Sequence, residues 1–338
     1  MKKRMFAAVL AASMALSVTA CGGSETPAGN TGSANKNLKE VTFVLDWTPN
    51  TNHTGIYVAK EKGYFEEAGL SVEIVQPPED GAVVLVASGK AEFGVSFQDS
   101  LAPALTGDNP MPVTAVASII QHNTSGIISR KGEGIDRPKG MEDHSYATWN
   151  GGIELGTIEH VMNADGGDFE KLKLIPSTVT DEVSALKTKS ADAIWIFYGW
   201  AGVKTELEQL ETDYFAFADI DPVFDYYTPV IVSGNSFLEK NPETAKAFLS
   251  AAEKGYTFAI EHPEEAAEIL LSAAPELDKE LVLASQNYLA DQYQADAPYW
   301  GYIDSTRWNN FYQWVNENQL TEEPIAPDTG FTNEFLPN

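Results

Sequence analysis

Within eight residues, Asp46-Trp47-Thr48-Pro49-Asn50-Thr51-Asn52-His53, the chain sets out a carboxylate, an indole, two amides and an imidazole. Connections from strand to helix are ordinarily small polar turn residues. A large aromatic among hydrogen-bonding groups therefore suits a loop that grips a flat ligand by stacking and directed bonds. Three further segments repeat the mixture: Phe97-Gln98-Asp99-Ser100, Trp149-Asn150-Gly151-Gly152 with Glu154 close behind, and Tyr198-Gly199-Trp200. Strand burial accounts for Phe93, Trp195 and Phe197 as core. It accounts poorly for Trp47, Trp149, Tyr198 and Trp200, which stand just past strand ends. Asp46 and Glu154 can accept from an amino or amidine-like edge, whereas Asn50, Asn52 and Gln98 both donate and accept. The set suits an uncharged or weakly basic, amino-bearing heteroaromatic.

An anion fits badly. After Arg4 only Arg130, Arg137 and Arg307 remain, which leaves few guanidinium forks for a phosphate or sulfonate. The formal charge of −27 argues against nucleic acid as a partner. His53 continues the polar loop and precedes Gly55, a position that favours ligand contact by close backbone approach over a capping role. His122, His144, His160 and His262 form no metal spacing with neighbouring acids and read as structural or solvated. No phosphate loop, nucleophile elbow or HExxH segment is present, and no cofactor is expected.

The elements that position these loops alternate between short β-rich runs and helical periodicity, the pattern of an α/β sheet with crossover helices. Strands are expected over 41–45, 72–75, 93–96 and 112–120, with helices over 54–67, 81–88 and 100–105. A second, shorter series follows, with strands over 146–148, 172–175 and 193–197 and helices over 155–162 and 182–189. A returning strand over 226–232 leads to helices over 243–260, 264–271, 280–292 and 305–316. Two lobes result, one from 38–129 and 228–338 and one from 130–227. They are joined by crossings near 129–132 and 224–228, with a ligand cleft between them and hinge closure across it.

Lys2, Lys3 and Arg4 head an apolar run over 5–16 that is too short to span a bilayer, so residues 1–20 read as a cleaved leader. The junction Val18-Thr19-Ala20-Cys21 resembles a bacterial lipobox and carries the chain's single cysteine, which makes Cys21 the expected lipid (palmitate-type) anchor. One cysteine allows neither an internal disulfide nor a Cys-based metal site. Residues 21–37 are small and polar, a flexible tether.

The run Leu45 to Ala59, followed by Gly63-Tyr64-Phe65 and Gly69-Leu70, resembles the ThiY-like, thiamine-pyrimidine-precursor family of ABC-transporter solute-binding proteins. The similarity continues through Gly89 to Ser100 and Trp195 to Trp200 and covers most of the chain after the tether. The resemblance implies a type II periplasmic-binding-protein fold and capture of an aminopyrimidine such as formylaminopyrimidine or hydroxymethylpyrimidine. It also implies an ABC permease with its ATPase subunit as partners. By motif position Asp46, Trp47, Asn52, His53, Gln98, Trp149, Glu154, Tyr198 and Trp200 would line the pocket. The protein would act as a monomer, lipid-anchored on the extracytoplasmic face of the cell membrane. The chain departs from the family pattern at Trp149-Asn150-Gly151-Gly152-Ile153, where a Trp-Gly-Ser/Thr-Pro run is common, and at Ala201, where an acid is common.

The same superfamily contains enzymes that make the thiamine pyrimidine, using a histidine that matches His53 and a cysteine-rich segment. With no cysteine beyond Cys21, this chain does not supply that chemistry. Other relatives bind riboflavin, taurine, alkanesulfonates or nitrate. The anionic ligands call for arginine forks or bare helix N-termini, while a flavin would need a much longer pocket.

Overall fold

The computed structural model describes residues 38–177 and 179–337; the leader, Cys21 and the tether lie outside the described residues. The strands build two five-stranded sheets. The first contains β1 (Lys39–Val44), β2 (Leu70–Val75), β3 (Phe93–Ser96) and β4 (Val113–Ser118). The second contains β5 (Ser125–Arg130), β6 (Ser145–Thr148), β7 (Lys173–Pro176), β8 (Ala193–Phe197) and β9 (Thr212–Ala216). The returning strand β10 (Val230–Gly234) rejoins the first sheet. Their orders are β2-β1-β3-β10-β4 and β7-β6-β8-β5-β9. In the first sheet β1 pairs in parallel with β2 and β3, and β10 is antiparallel to β3 and β4. In the second, β6 is parallel to β7 and β8, and β5 is antiparallel to β8 and β9.

Parallel central strands are covered by helices on both faces, which is why Val41, Phe43 and Val44 of β1 are all buried. The Pro242–Glu261 helix, opened by proline at its first position, repeats buried residues every three or four positions through Phe248, Ala252, Tyr256 and Ala259. Its Phe248 stacks on Phe43, Phe65 and Phe93 at 5.7, 5.2 and 4.0 Å between centroids. This helix crosses the Thr54–Glu61 helix at a pair of glycines. A Cβ on Gly255 would lie 2.0 Å from the Gly55 carbonyl oxygen, and one on Gly55 would lie 2.3 Å from the Tyr256 ring. Gly55 therefore serves helix packing, not the close ligand approach expected of it.

The first crossing differs from the sequence expectation. Because β5 pairs with β8 and β9, the chain leaves the first sheet after Ser118 and crosses over 119–124, not near 129–132; residues 125–129 belong with the second sheet. The run Ser125-Gly126-Ile127-Ile128-Ser129-Arg130 has one apolar pair and no alternation, so only its antiparallel partners reveal it as a strand. The return runs through 217–229, a segment that includes 224–228. The two crossings touch: His122 on the first lies 2.8 Å from Asp225 on the second and 3.0 Å from Asp296. The C-terminal helices also reach both lobes. Lys279–Ala290 packs against the Thr51–His53 turn and the Tyr198–Gly202 turn, and Ser305–Glu317 places Trp314 on Phe224 and His160.

Candidate functional site

Past β1 the backbone bends, and Asn50 caps the short turn Thr51–His53. Its side-chain oxygen accepts the Asn52 N–H at 2.9 Å, and its own N–H donates to His53 Nδ1 at 3.2 Å. With Nδ1 accepting, Nε2 must carry the ring proton, and it donates to Asp46 Oδ1 at 2.6 Å. Tyr256 donates to the Asn52 carbonyl at 2.7 Å and Tyr293 to the Thr51 carbonyl at 2.6 Å. The Thr51 hydroxyl meets Ser285 at 2.6 Å, and Ser285 in turn bonds the Gly199 carbonyl of the second lobe. The loop is thus rigid beneath and open above, with Trp47 46% exposed.

A cavity of about 300 Å³ lies over this loop and between the lobes. Asp46, Trp47, Asn50 and Asn52 line it from the first lobe, with Phe97 after β3 and Pro229 before β10. From the second lobe come Glu182, Phe197, Trp200 and Ala201. The Phe97 and Phe197 rings face each other across the lobes at 6.0 Å and 16°. No lysine, arginine or histidine is among the lining residues. Burial pushes the Glu182 carboxyl above its ordinary range, opposed by its own N–H and by Lys204. A second cavity, of about 460 Å³, shares Asp46 and Phe97 with the first and extends past Ser96 and Ser100 to Asp80. Among the described residues, no cluster of three or more His, Cys, Asp or Glu is placed to hold a metal.

Of the residues expected at the pocket, Asp46, Trp47, Asn52 and Trp200 line this cavity. His53 does not: it is fully buried beneath Asp46 with both nitrogens engaged, so it positions the carboxylate. Gln98 is also fully buried and outside the lining, its Nε2 donating to the Trp308 carbonyl at 2.9 Å and its Oε1 accepting the Tyr227 N–H at 3.0 Å. Glu154 caps its own helix. Its two oxygens accept from the Tyr146 and Thr148 hydroxyls at 2.7 and 3.0 Å and from the Trp149 and Gly151 N–H groups at 3.3 and 3.0 Å. Trp149 is exposed and edge-on to Trp195 at 5.3 Å, outside the lining. The Tyr198 hydroxyl bonds Glu206 while its ring packs on Tyr214 and Tyr288, also away from the cavity.

Phe197 corrects the expectation in the opposite direction. Read as core, it is partly exposed at the cavity because it is the last residue of β8, where the strand runs out of cover. Its place at a strand C-terminus was the available signal. Glu182 opens the Glu182–Thr188 helix with no aromatic neighbour in sequence, and only the tertiary fold brings it to the site.

Two α/β lobes whose strand ends enclose one aromatic, acidic cavity define a clamp for a small molecule. The architecture is the type II periplasmic-binding-protein fold: it is similar to that of the periplasmic aliphatic sulphonate binding protein of Escherichia coli, with a TM-score of 0.67 at 14% identity over 85% of this chain and 90% of that one. The chain belongs to the NMT1/THI5-like family, which matches residues 50–266. It is 29% identical to the formylaminopyrimidine-binding protein of Halalkalibacterium halodurans over 316 residues, covering 90% of this chain and 93% of that one. A 4-amino-5-hydroxymethyl-2-methylpyrimidine phosphate synthase of Saccharomyces cerevisiae is 26% identical, with 88% of each chain covered.

Proposed function

We propose that this chain is the extracytoplasmic solute-binding component of an ABC importer. In this reading it captures a thiamine pyrimidine precursor, of formylaminopyrimidine or hydroxymethylpyrimidine type, and delivers it to a permease driven by a separate ATPase subunit. The observation that carries the reading is the cavity itself: a fixed Asp46, aromatic faces from both lobes, and no cationic side chain in the lining. A flat ring stacks on Trp47, Trp200 or the Phe97 and Phe197 pair, and Asp46 accepts from its amino group. The volume of about 300 Å³ stands at the small end of ligand pockets and favours one substituted ring over a flavin. The adjoining cavity gives a ring substituent room beyond Phe97.

Sulfonate and nitrate binding share the fold, but an anion would meet Asp46 and Glu182 with no compensating cation among the lining residues. The synthase relative supports a second reading, catalysis of pyrimidine formation. Against it stand His53, whose ring is buried and bonded at both nitrogens, and the absence of any cysteine beyond Cys21. Product formation on incubation with pyridoxal phosphate and iron would reverse that judgement. Cys21 carries the lipid anchor in this reading, and the mass of the N-terminal peptide after detergent extraction tests it.

The direct test of the ligand is a thermal-shift screen with native mass spectrometry of whatever co-purifies. At a ligand concentration 100-fold over Kd the stabilisation is about 2.7 kcal/mol. A shift with flavins or sulfonates and none with aminopyrimidines would refute the proposal.

A further inference from the structure

Glu182 is the acid at the cavity that the loop chemistry of the first lobe does not account for. It is the first residue of the Glu182–Thr188 helix, yet the capping work there belongs to its neighbour. Asp181 accepts the Ser184 N–H at 3.1 Å and pairs with Lys204 at 3.0 Å. Glu182 is left turned toward the cavity wall, opposite the lobe that supplies Asp46. Carboxylates placed in partly desolvated, aromatic surroundings without a paired cation oppose folding of the empty protein. Such placements gather at functional sites, where a ligand completes them.

We infer that Glu182 is a second ligand-reading carboxylate, and that the cavity selects a heteroaromatic cation, an aminopyrimidine protonated on a ring nitrogen or a related amidinium, held between acids of the two lobes. The inference deepens the pyrimidine reading above and rests on it for the identity of the ring. Asp46 has one oxygen committed to His53 and the other available to a ligand N–H. Glu182 approaches from the other lobe, so a ligand that bonds both acids draws the lobes together. Trp47, Trp200, Phe97 and Phe197 add faces on which a delocalised cation is favoured over a neutral ring. An electrically neutral isostere of the same shape keeps the stacking and forfeits the second carboxylate.

Isothermal titration at pH 6.5 tests this with three probes: 4-amino-5-hydroxymethyl-2-methylpyrimidine, benzamidine, and 2-amino-4-methylbenzyl alcohol, the carbocyclic isostere that has no ring nitrogen to protonate. The expected result is at least a tenfold loss of pyrimidine affinity in Glu182→Gln, with less than a threefold change for the carbocycle. The thermal midpoint of the empty variant stays level or rises, because a desolvated charge has been removed; loss of a helix-stabilising residue would lower it. Wild-type pyrimidine affinity in Glu182→Gln, with loss in Asp46→Asn, overturns the role of Glu182 and leaves the pyrimidine reading standing. Glu182-dependent binding of benzamidine without pyrimidine binding does the reverse. Binding of none of the three probes overturns both. If Glu182→Gln folds poorly, Glu182→Asp decides, since it keeps the charge and the helix start but shortens the reach. Weaker pyrimidine binding at an unchanged midpoint supports the inference, and wild-type affinity overturns it.

Discussion

Replacing His53 with phenylalanine separates a positioning residue from a ligand contact. The substitution keeps a ring in a site with no solvent exposure and removes two bonds, from His53 Nε2 to Asp46 at 2.6 Å and from the Asn50 N–H to Nδ1 at 3.2 Å. A hydrogen bond to a carboxylate contributes about 1.5–3 kcal/mol, and an orphaned buried N–H costs about 1–3 kcal/mol. The expected loss of stability is about 3–5 kcal/mol, or roughly 5–8 °C in Tm for an unfolding unit of about 300 residues. Binding weakens for a different reason. Asp46, freed from His53, must be ordered again by the ligand, at about 0.5–1.5 kcal/mol or roughly two- to tenfold in Kd. Calorimetric titration of His53→Phe, Asp46→Asn and the double variant measures the coupling. If His53 acts through Asp46, adding His53→Phe to Asp46→Asn costs no further affinity. A hundredfold loss in the single variant that persists in the Asp46→Asn background would refute the positioning role and return His53 to the ligand.

Trp47→Ala is expected to weaken aminopyrimidine binding roughly tenfold, a scale set by a lost stacking face. It should shift Tm by less than about 2 °C, because the side chain is half exposed; thermal shift with and without ligand reads both. Gln98→Ala should do the opposite, costing about 2–4 kcal/mol in urea unfolding through the unpaired Tyr227 N–H and Trp308 carbonyl, while the folded fraction binds ligand normally. His122 bonds carboxylates through both ring nitrogens, which requires the imidazolium, and its hydrogen bond to Asp225 raises its pKa. Its contribution is therefore complete below the unfolded value of about 6.5 and lost as pH rises through the higher folded value. Urea midpoints should fall across that window in the native protein, and the His122-dependent part of the fall should vanish in His122→Gln.

Much of the fold was legible along the chain because helices and parallel strands carry local periodic signals. The Pro242–Glu261 and Ser305–Glu317 helices stand within one residue of where their apolar spacing places them. β5 and β9 were not legible. β9 opens on the polar Thr212-Asp213, and its run Tyr214-Phe215-Ala216 continues without a turn residue into the Phe217–Ile220 helix, so nothing local marks it off as a strand. The first crossing is hidden with them, since a crossing is defined by which sheet accepts the next strand. At the site, the loop from Asp46 to His53 announced itself by residue type, and four of the expected residues line the cavity. Gln98 and Glu154 carry the same functional groups as the cavity-lining Asn52 and Asp46, but their partners are backbone groups and hydroxyls that the fold brings to them.

What the sequence determined by itself is the α/β character of the chain, the family to which it belongs, and the aromatic and acidic character of the loop from Asp46 to His53. These depend on residue type and short-range spacing. The tertiary structure alone decided which polar groups remain free. Hydrogen-bond satisfaction is a property of neighbours distant in sequence: Tyr227 and Trp308 occupy Gln98, and Asp46 occupies His53. The same folding step exposed Phe197 and Glu182 to the cavity and withdrew Glu154 into a helix cap. The carboxylate opposite Asp46 therefore belongs to an element whose sequence gives no sign of it.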